Sequence, residues 1–219
     1  AAAPSPTAFR CDLRCESDVE ESLLVPVLAV LNEAQLYPSW LPQWTVPYFK
    51  VEEVEVLEER GRASKVVRVR VGLPWPFSPR EGVLDATAVD DLPGRIAVAV
   101  RSLGESPGGL EPGRGCVPPV AQGVVRIGFH GGFVFERARG AARGGDVRAA
   151  ALMRLDPKVG AVPPALLSFV TRTVLRLVWG YLLDVARAVR SGERKEHAEA
   201  IEAKAGVYGW IAARAAELA

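Results

Sequence analysis

A chain of 219 residues, nearly half of them hydrophobic, can bury a substantial core, and a formal net charge of +1 argues against both a disordered polyelectrolyte and a chain ruled by nucleic-acid attraction. The arginines are dispersed among glutamates, so they read as a solvated surface and no nucleic-acid partner is expected. Three cysteines (Cys11, Cys15, Cys116) are odd in number and lack metal spacing, which predicts free thiols in a reducing, cytoplasmic compartment and no bound metal.

The opening AAAPSPTAF is short, small and uncharged, so residues 1–6 read as a disordered lead-in rather than a secretory leader. Residues 7–14 read as a strand. Ser17 or Asp18 is placed to cap a helix with Glu20 and Glu21 in its first turn and Pro26 as a kink or restart. The proline-rich YPSWLPQWTVP that follows predicts a loop or short helix anchored by Trp40 and Trp44.

From Phe49 the period changes to two. KVEEVEVLEE (50–59) and SKVVRVRVG (64–72) alternate valines with glutamates on one strand and with arginines on the next, the pattern of an antiparallel hairpin with paired charges on its wet face. Residues 82–90 and 95–103 flank the turn DLPG and read as a second hairpin. Residues 104–123 are rich in glycine and proline and read as a mobile surface loop. Two further strands are predicted at 124–135, with a glycine bulge at Gly131-Gly132, and at 146–155.

DPKVGAVPP then leads into the most legible element of the chain, a helix from Pro164 to Arg190. Its prolines fall in the first turn, and Ser191-Gly192 ends it. Leu166, Phe169, Val170, Thr173, Val174, Leu177, Tyr181 and Val185 recur at helical spacing and predict the face turned to the sheet, with Arg172, Arg176, Asp184, Arg187 and Arg190 mostly opposite. Arg172, Arg176 and Asp184, inside the apolar stretch from Leu166 to Val185, argue against a membrane span. The alanine-rich segment after Gly192 predicts one or two more helices riding on the surface of the domain or on a partner. An antiparallel sheet curving round one long helix is an α+β fold.

Three words in this order, LNEAQLYPSWLP (31–42), PWPFSPREGVLDA (74–86) and LDPKVGAVPPALLSFV (155–170), resemble the START (steroidogenic acute regulatory protein-related lipid-transfer) family over roughly residues 7–190. The resemblance implies a helix-grip fold, in which a curved antiparallel sheet grips the C-terminal helix around an elongated apolar tunnel for one lipid. It divides the chain into a START-like domain (7–191) and a C-terminal helical extension (192–219). The family's usual helix and two strands before the strand matching 7–14 are not found, and the tail is extra. The chain is expected to be a monomer or part of a larger multidomain chain that touches membranes transiently.

No enzyme signature emerges. His130 sits on a strand and is expected to fill a structural or cavity-polar role rather than a catalytic one, His197 lies in a charged helix and reads as solvated, and adjacent carboxylates such as Glu52/Glu53 are expected to point to opposite sides of a strand. No cofactor is implied. The tunnel is expected to be lined by Val67 and Val69, by Ala97 and Ala99, by Ile127 and Phe129, by Ala151 and Met153, and by Phe169, Val170, Thr173, Leu177 and Tyr181 of the long helix. Asp85, Thr87 and Arg101 are the candidate polar anchors for a head group, since a buried charge must be paired. Trp75 and Phe77 are candidates for the tunnel mouth or a membrane contact. The expected function is non-enzymatic binding of one hydrophobic ligand. The alternatives are a cyclase/aromatase-like enzyme on the same scaffold and an interaction module with a filled cavity.

Overall fold

The computed structural model describes residues 11–45, 48–91, 94–104, 117–138, 146–158 and 163–218. One sheet carries nine strands among the described residues: β1 (Cys11–Glu20), β2 (Trp44–Thr45), β3 (Tyr48–Arg60), β4 (Ser64–Gly72), β5 (Arg80–Asp91), β6 (Arg95–Ser102), β7 (Val125–Arg126), β8 (Gly128–Arg137) and β9 (Asp146–Asp156). The spatial order is β1-β9-β8-β6-β5-β4-β3-β2, with the short β7 parallel beside β5 and the other neighbours antiparallel. Helices α1 (Leu24–Asn32), α2 (Pro164–Arg190), α3 (Lys195–Ala203) and α4 (Ala205–Ala216) lie against its concave side.

The hairpin β3–β4 has the predicted chemistry. Arg68 contacts Glu53 and lies 2.8 Å from Glu55, and Arg70 pairs with Glu53 across the same outer face. Two register shifts in β3, at Val51/Glu53 and Val56/Glu58, bend this strand. Gly131 and Gly132, predicted to form a bulge, sit in unbroken register between β6 and β9. Their requirement for glycine is close approach: a Cβ would lie 2.0 Å from the carbonyl oxygen of Leu152 or of Val98 respectively.

The N-terminal boundary moves from its predicted place. β1 stays extended to Glu20 because it pairs with β9 along its whole length, so the helix expected at Ser17 or Asp18 starts as a 3-10 turn at Glu21. That shift puts Pro26 in the first turn of α1, where its missing N–H needs no partner, and no kink is required. A 3-10 helix (Ala34–Ser39) and the buried Trp40 follow, with Trp40 meeting Tyr37 edge to face at 5.7 Å.

The core lies where α1 and the C-terminal half of α2 cross the β1–β9 end of the sheet. Leu24, Val27, Phe135, Ala149, Leu182 and Ala186 pack there with little or no exposure, each large side chain contributing about 1.5–3 kcal/mol of burial. Trp179 Nε1 donates to Ser17 Oγ at 3.0 Å, and Arg190 donates to Glu20 at 2.5 Å, fixing α2 to β1. The tail does not ride on the surface. Ala215 and Leu218 belong to the same core as Leu24, and Tyr208 is buried.

The tail is also held by a polar cluster. Glu33, with no exposed surface, accepts from Lys204 Nζ at 2.8 Å and from the hydroxyl of Tyr208, which in turn accepts from Asn32 Nδ2 at 3.0 Å. Burial pushes the Glu33 carboxyl up, but the Lys204 and Tyr208 hydrogen bonds and the Lys204 charge outweigh it, and the net direction is down. His197, predicted to be solvated, is fully buried in α3 with no hydrogen-bond partner for either nitrogen among the described residues.

The mobile loop expected over 104–123 divides. Residues 105–116 lie outside the described residues, whereas 117–127 pack on the outer face of the sheet. There Val117 joins Val66, Val83 and Leu103, and Arg126 donates to the buried Glu81 at 2.5 Å and to the Pro118 carbonyl at 2.9 Å. No helix among the described residues is long and apolar enough to cross a membrane.

Candidate ligand-binding site

The antiparallel registers decide which side chains face inward. Val67 lies opposite Leu84, Ala86 opposite Val100, Val98 opposite Phe133, and Phe133 opposite Ala151, so one continuous apolar row crosses five strands. Between this row and α2 lies a chamber of about 200 Å³. Its floor includes Val67, Val69, Leu84, Val98, Phe129, Phe133, Ala151, Met153 and Cys15. Its roof is Leu175, Val178, Trp179 and Leu182, and Leu31, Tyr37, Trp40 and Leu41 close the side. No ionised side chain lines it. Burial pushes the Cys15 thiol up, against the nearby charge of Arg176. Tyr37 Oη donates to the Leu31 carbonyl at 2.6 Å, but Trp40 Nε1 has no acceptor among the described residues.

A second chamber of about 340 Å³ lies beside the first, between α1, strands β4–β6 and α4. Leu31, Ala86 and Val98 line both, so the chambers abut there. Leu28, Ala88, Ile96, Trp210 and Ile211 make it largely apolar, while Arg62, Lys65, Asp90 and Arg214 give it a charged rim. Arg214 is neutralised by Asp90 at 2.6 Å. Lys65 donates to the Asn32 carbonyl at 2.7 Å and stands 3.6 Å from Glu59. Burial lowers the pKa of its ammonium, with Glu59 opposing.

No family model matches the chain, and no curated protein sequence matches it. Solved structures do. The chain is similar to a STAR-related lipid transfer protein from Xanthomonas axonopodis at a TM-score of 0.60 and 21% identity, covering 80% of this chain and 85% of that one. It is similar to human STARD10 at a TM-score of 0.62 and 12% identity, covering 89% and 75%. The chain has the START helix-grip fold. The fold is shared by the di-domain ARO/CYC StfQ from the steffimycin biosynthetic pathway, at a TM-score of 0.51 and 15% identity, covering 86% of this chain and 53% of that one. Among the described residues of this START-like chain, β1 is one edge of the sheet and the tail helices are additional to α2, the gripped helix.

Of the residues proposed from sequence to line the tunnel, Val67, Val69, Phe129, Ala151 and Met153 do line the first chamber of the START-like fold. The polar anchors do not. Asp85, Thr87, Ala97, Ala99 and Arg101 share the outer face, where Asp85 meets Arg101 at 3.3 Å and Arg60 at 3.7 Å, and Thr87 Oγ1 meets Ser64 Oγ at 3.0 Å. Both faces of β5 and β6 carry small or apolar side chains, so alternation alone leaves the inward face open. Ile127 sits beside Gly82, outside both chambers. Because Asp85 lies outside, Asp85→Asn should leave ligand affinity within about twofold of the parent and cost roughly 1–3 kcal/mol of stability. Paired binding and unfolding titrations check this, and a tenfold loss of affinity would return Asp85 to the site.

On α2 the predicted face is nearly opposite to the real one. Phe169 is 68% exposed, Val170 46%, Leu177 41% and Tyr181 38%, and Thr173 is exposed with its hydroxyl on the Phe169 carbonyl. The inward row is Thr171, Leu175, Val178, Trp179, Leu182, Ala186 and Val189, joined by Val185, which the predicted face did include. The helix is apolar on most sides before Asp184, so its period does not select a face. The indole bond to Ser17 and the packing on α1 do. Leu84, Val98, Val100 and Phe133 were likewise missed, although Leu84 and Val98 follow from the register once Val67 faces inward. Trp75, in the turn between β4 and β5, is 93% exposed and Phe77 is half-buried.

Proposed function

We propose that this protein binds one hydrophobic ligand of the lipid class inside the grip of the sheet on α2 and exchanges it with membranes, without chemistry on the ligand. The carrying observation is the first chamber, apolar on all sides and free of ionised lining residues. A space of that character favours apolar burial and would penalise a charged intermediate. Neither histidine lines either chamber, which supports binding over a cyclase-like reaction.

The outward stripe of α2 supports the membrane step. Phe169, Val170, Leu177 and Tyr181 stand exposed and are flanked by Arg172 and Arg176, with no acidic residue in α2 before Asp184. A helix with an apolar ridge and basic flanks suits an anionic bilayer surface. The test is transfer of a fluorescent acyl lipid between phosphatidylcholine vesicles containing phosphatidylserine. The parent protein should accelerate transfer. The Phe169→Asp/Leu177→Asp variant should slow it by roughly tenfold or more while still taking up lipid from solution. A parent protein that takes up no lipid would defeat the binding reading. Undiminished transfer by the variant would defeat the docking face.

A further inference from the structure

We infer that the second chamber, walled by the tail helix α4, is a head-group compartment for an amphiphile ending in an anion, a carboxylate or a phosphate monoester, whose single chain runs past Ala86 into the first chamber. This rests on the lipid-binding reading and specifies the ligand it would take. Size comes first. The first chamber, about 200 Å³, is smaller than the roughly 300–1,000 Å³ of small-molecule pockets, so a ligand of ordinary size needs the adjoining 340 Å³ as well. The chambers share Leu31, Ala86 and Val98, and Ala86, the smallest of the three, is where a single chain would pass with least obstruction.

Charge then orients the ligand. An ion in the first chamber would be stripped of water with no counter-charge on any wall. The second chamber offers cations. Arg214 is already matched by Asp90. Arg62, in the turn between β3 and β4, has no partner among the described residues. The Lys65 side chain is only 13% exposed and has one hydrogen bond and one loose ion pair to a half-exposed Glu59, so donor capacity remains toward the cavity. An anion between Arg62 and Lys65 would make charge-assisted hydrogen bonds there. Trp210 and Ile211 would cover the adjoining part of the chain.

The experiment compares three probes of equal chain length, hexadecanoic acid, hexadecyl phosphate and hexadecanol, by displacement of a fluorescent acyl probe from the full chain. At least one anion should bind about tenfold or more tightly than the alcohol, by a margin that shrinks with added salt. The stronger anion identifies which of the two head groups fits. In Arg62→Gln/Lys65→Met the ratio of anion to alcohol affinity should collapse toward one, and Lys65→Arg should restore part of it. An alcohol bound as tightly as both anions by the parent protein overturns the head-group assignment and leaves lipid binding standing. Binding of none of the three overturns both. The parent comparison needs no variant to fold, so a poorly folded double variant does not obscure the answer.

Discussion

Replacing Ala86 by phenylalanine is expected to abolish lipid uptake, a loss of roughly a hundredfold or more, while leaving the unfolding midpoint nearly unchanged. Ala86 faces inward from β5 and is one of three residues lining both chambers. In a close-packed interior a benzyl group at this position would force off-rotamer neighbours and cost roughly 1–3 kcal/mol. Here the ring can enter the chambers that Ala86 lines, so the strain is small and the ligand is what it displaces. Thermal unfolding beside lipid uptake on this one variant decides. A sharply lowered midpoint would mean that the interior is solid, and a stable variant that still takes up lipid would mean that the chambers do not hold it. Thr173→Trp, by contrast, sits on the outer side of α2 and does not probe the interior.

The second large effect concerns Glu33. Glu33→Ala removes a carboxylate without solvent exposure and strands Lys204 and the Tyr208 hydroxyl. Breaking a buried pair costs about 3–5 kcal/mol, and the lower end applies because Lys204 keeps 32% exposure. For a chain of this size about 3 kcal/mol lowers the midpoint by roughly 6–12 °C. The pH dependence follows from the same group. Its folded-state pKa is depressed, so its contribution is present above the ordinary carboxylate value of about 4.3 and is lost as pH falls through the folded value. His197 acts in the same sense and sooner. Burial first, then Arg194, lowers its pKa against Glu196 and Glu33, so below about 6.5 the unfolded chain takes up a proton that the buried ring does not, and stability falls. Below the range in which His197 acts, unfolding midpoints measured from about pH 5 to about pH 3 should fall in the parent and fall less in Glu33→Ala. Parallel curves would place the acid sensitivity elsewhere.

Both effects arise at places that differ in how far the sequence reveals them. The hairpin β3–β4 and the existence and ends of α2 are local matters. Glutamates opposite arginines, prolines in a first turn and Gly192 past a last turn act within a few residues, and each leaves its mark on the chain. The three START-like words likewise pointed to the fold that the solved structures share. Facing is another matter. Whether Val98 or Ala97 turns inward, and whether Leu175 or Phe169 meets the sheet, depends on register with β5 and β8 and on how α2 is rotated by Trp179 on Ser17. A strand with apolar or small residues on both faces, or a helix whose apolar residues spread over more than one face, carries no local record of that choice. The tail shows the same limit. Its sparse apolar residues suit a surface helix, and only the buried charge of Glu33, lying far back in the chain, requires Lys204 and Tyr208 to fold over it and bring Trp210 and Ile211 to the wall of the second chamber. Such a contact is decided by the cost of leaving a buried carboxylate unpaired, and that cost exists only once the tertiary structure has excluded water.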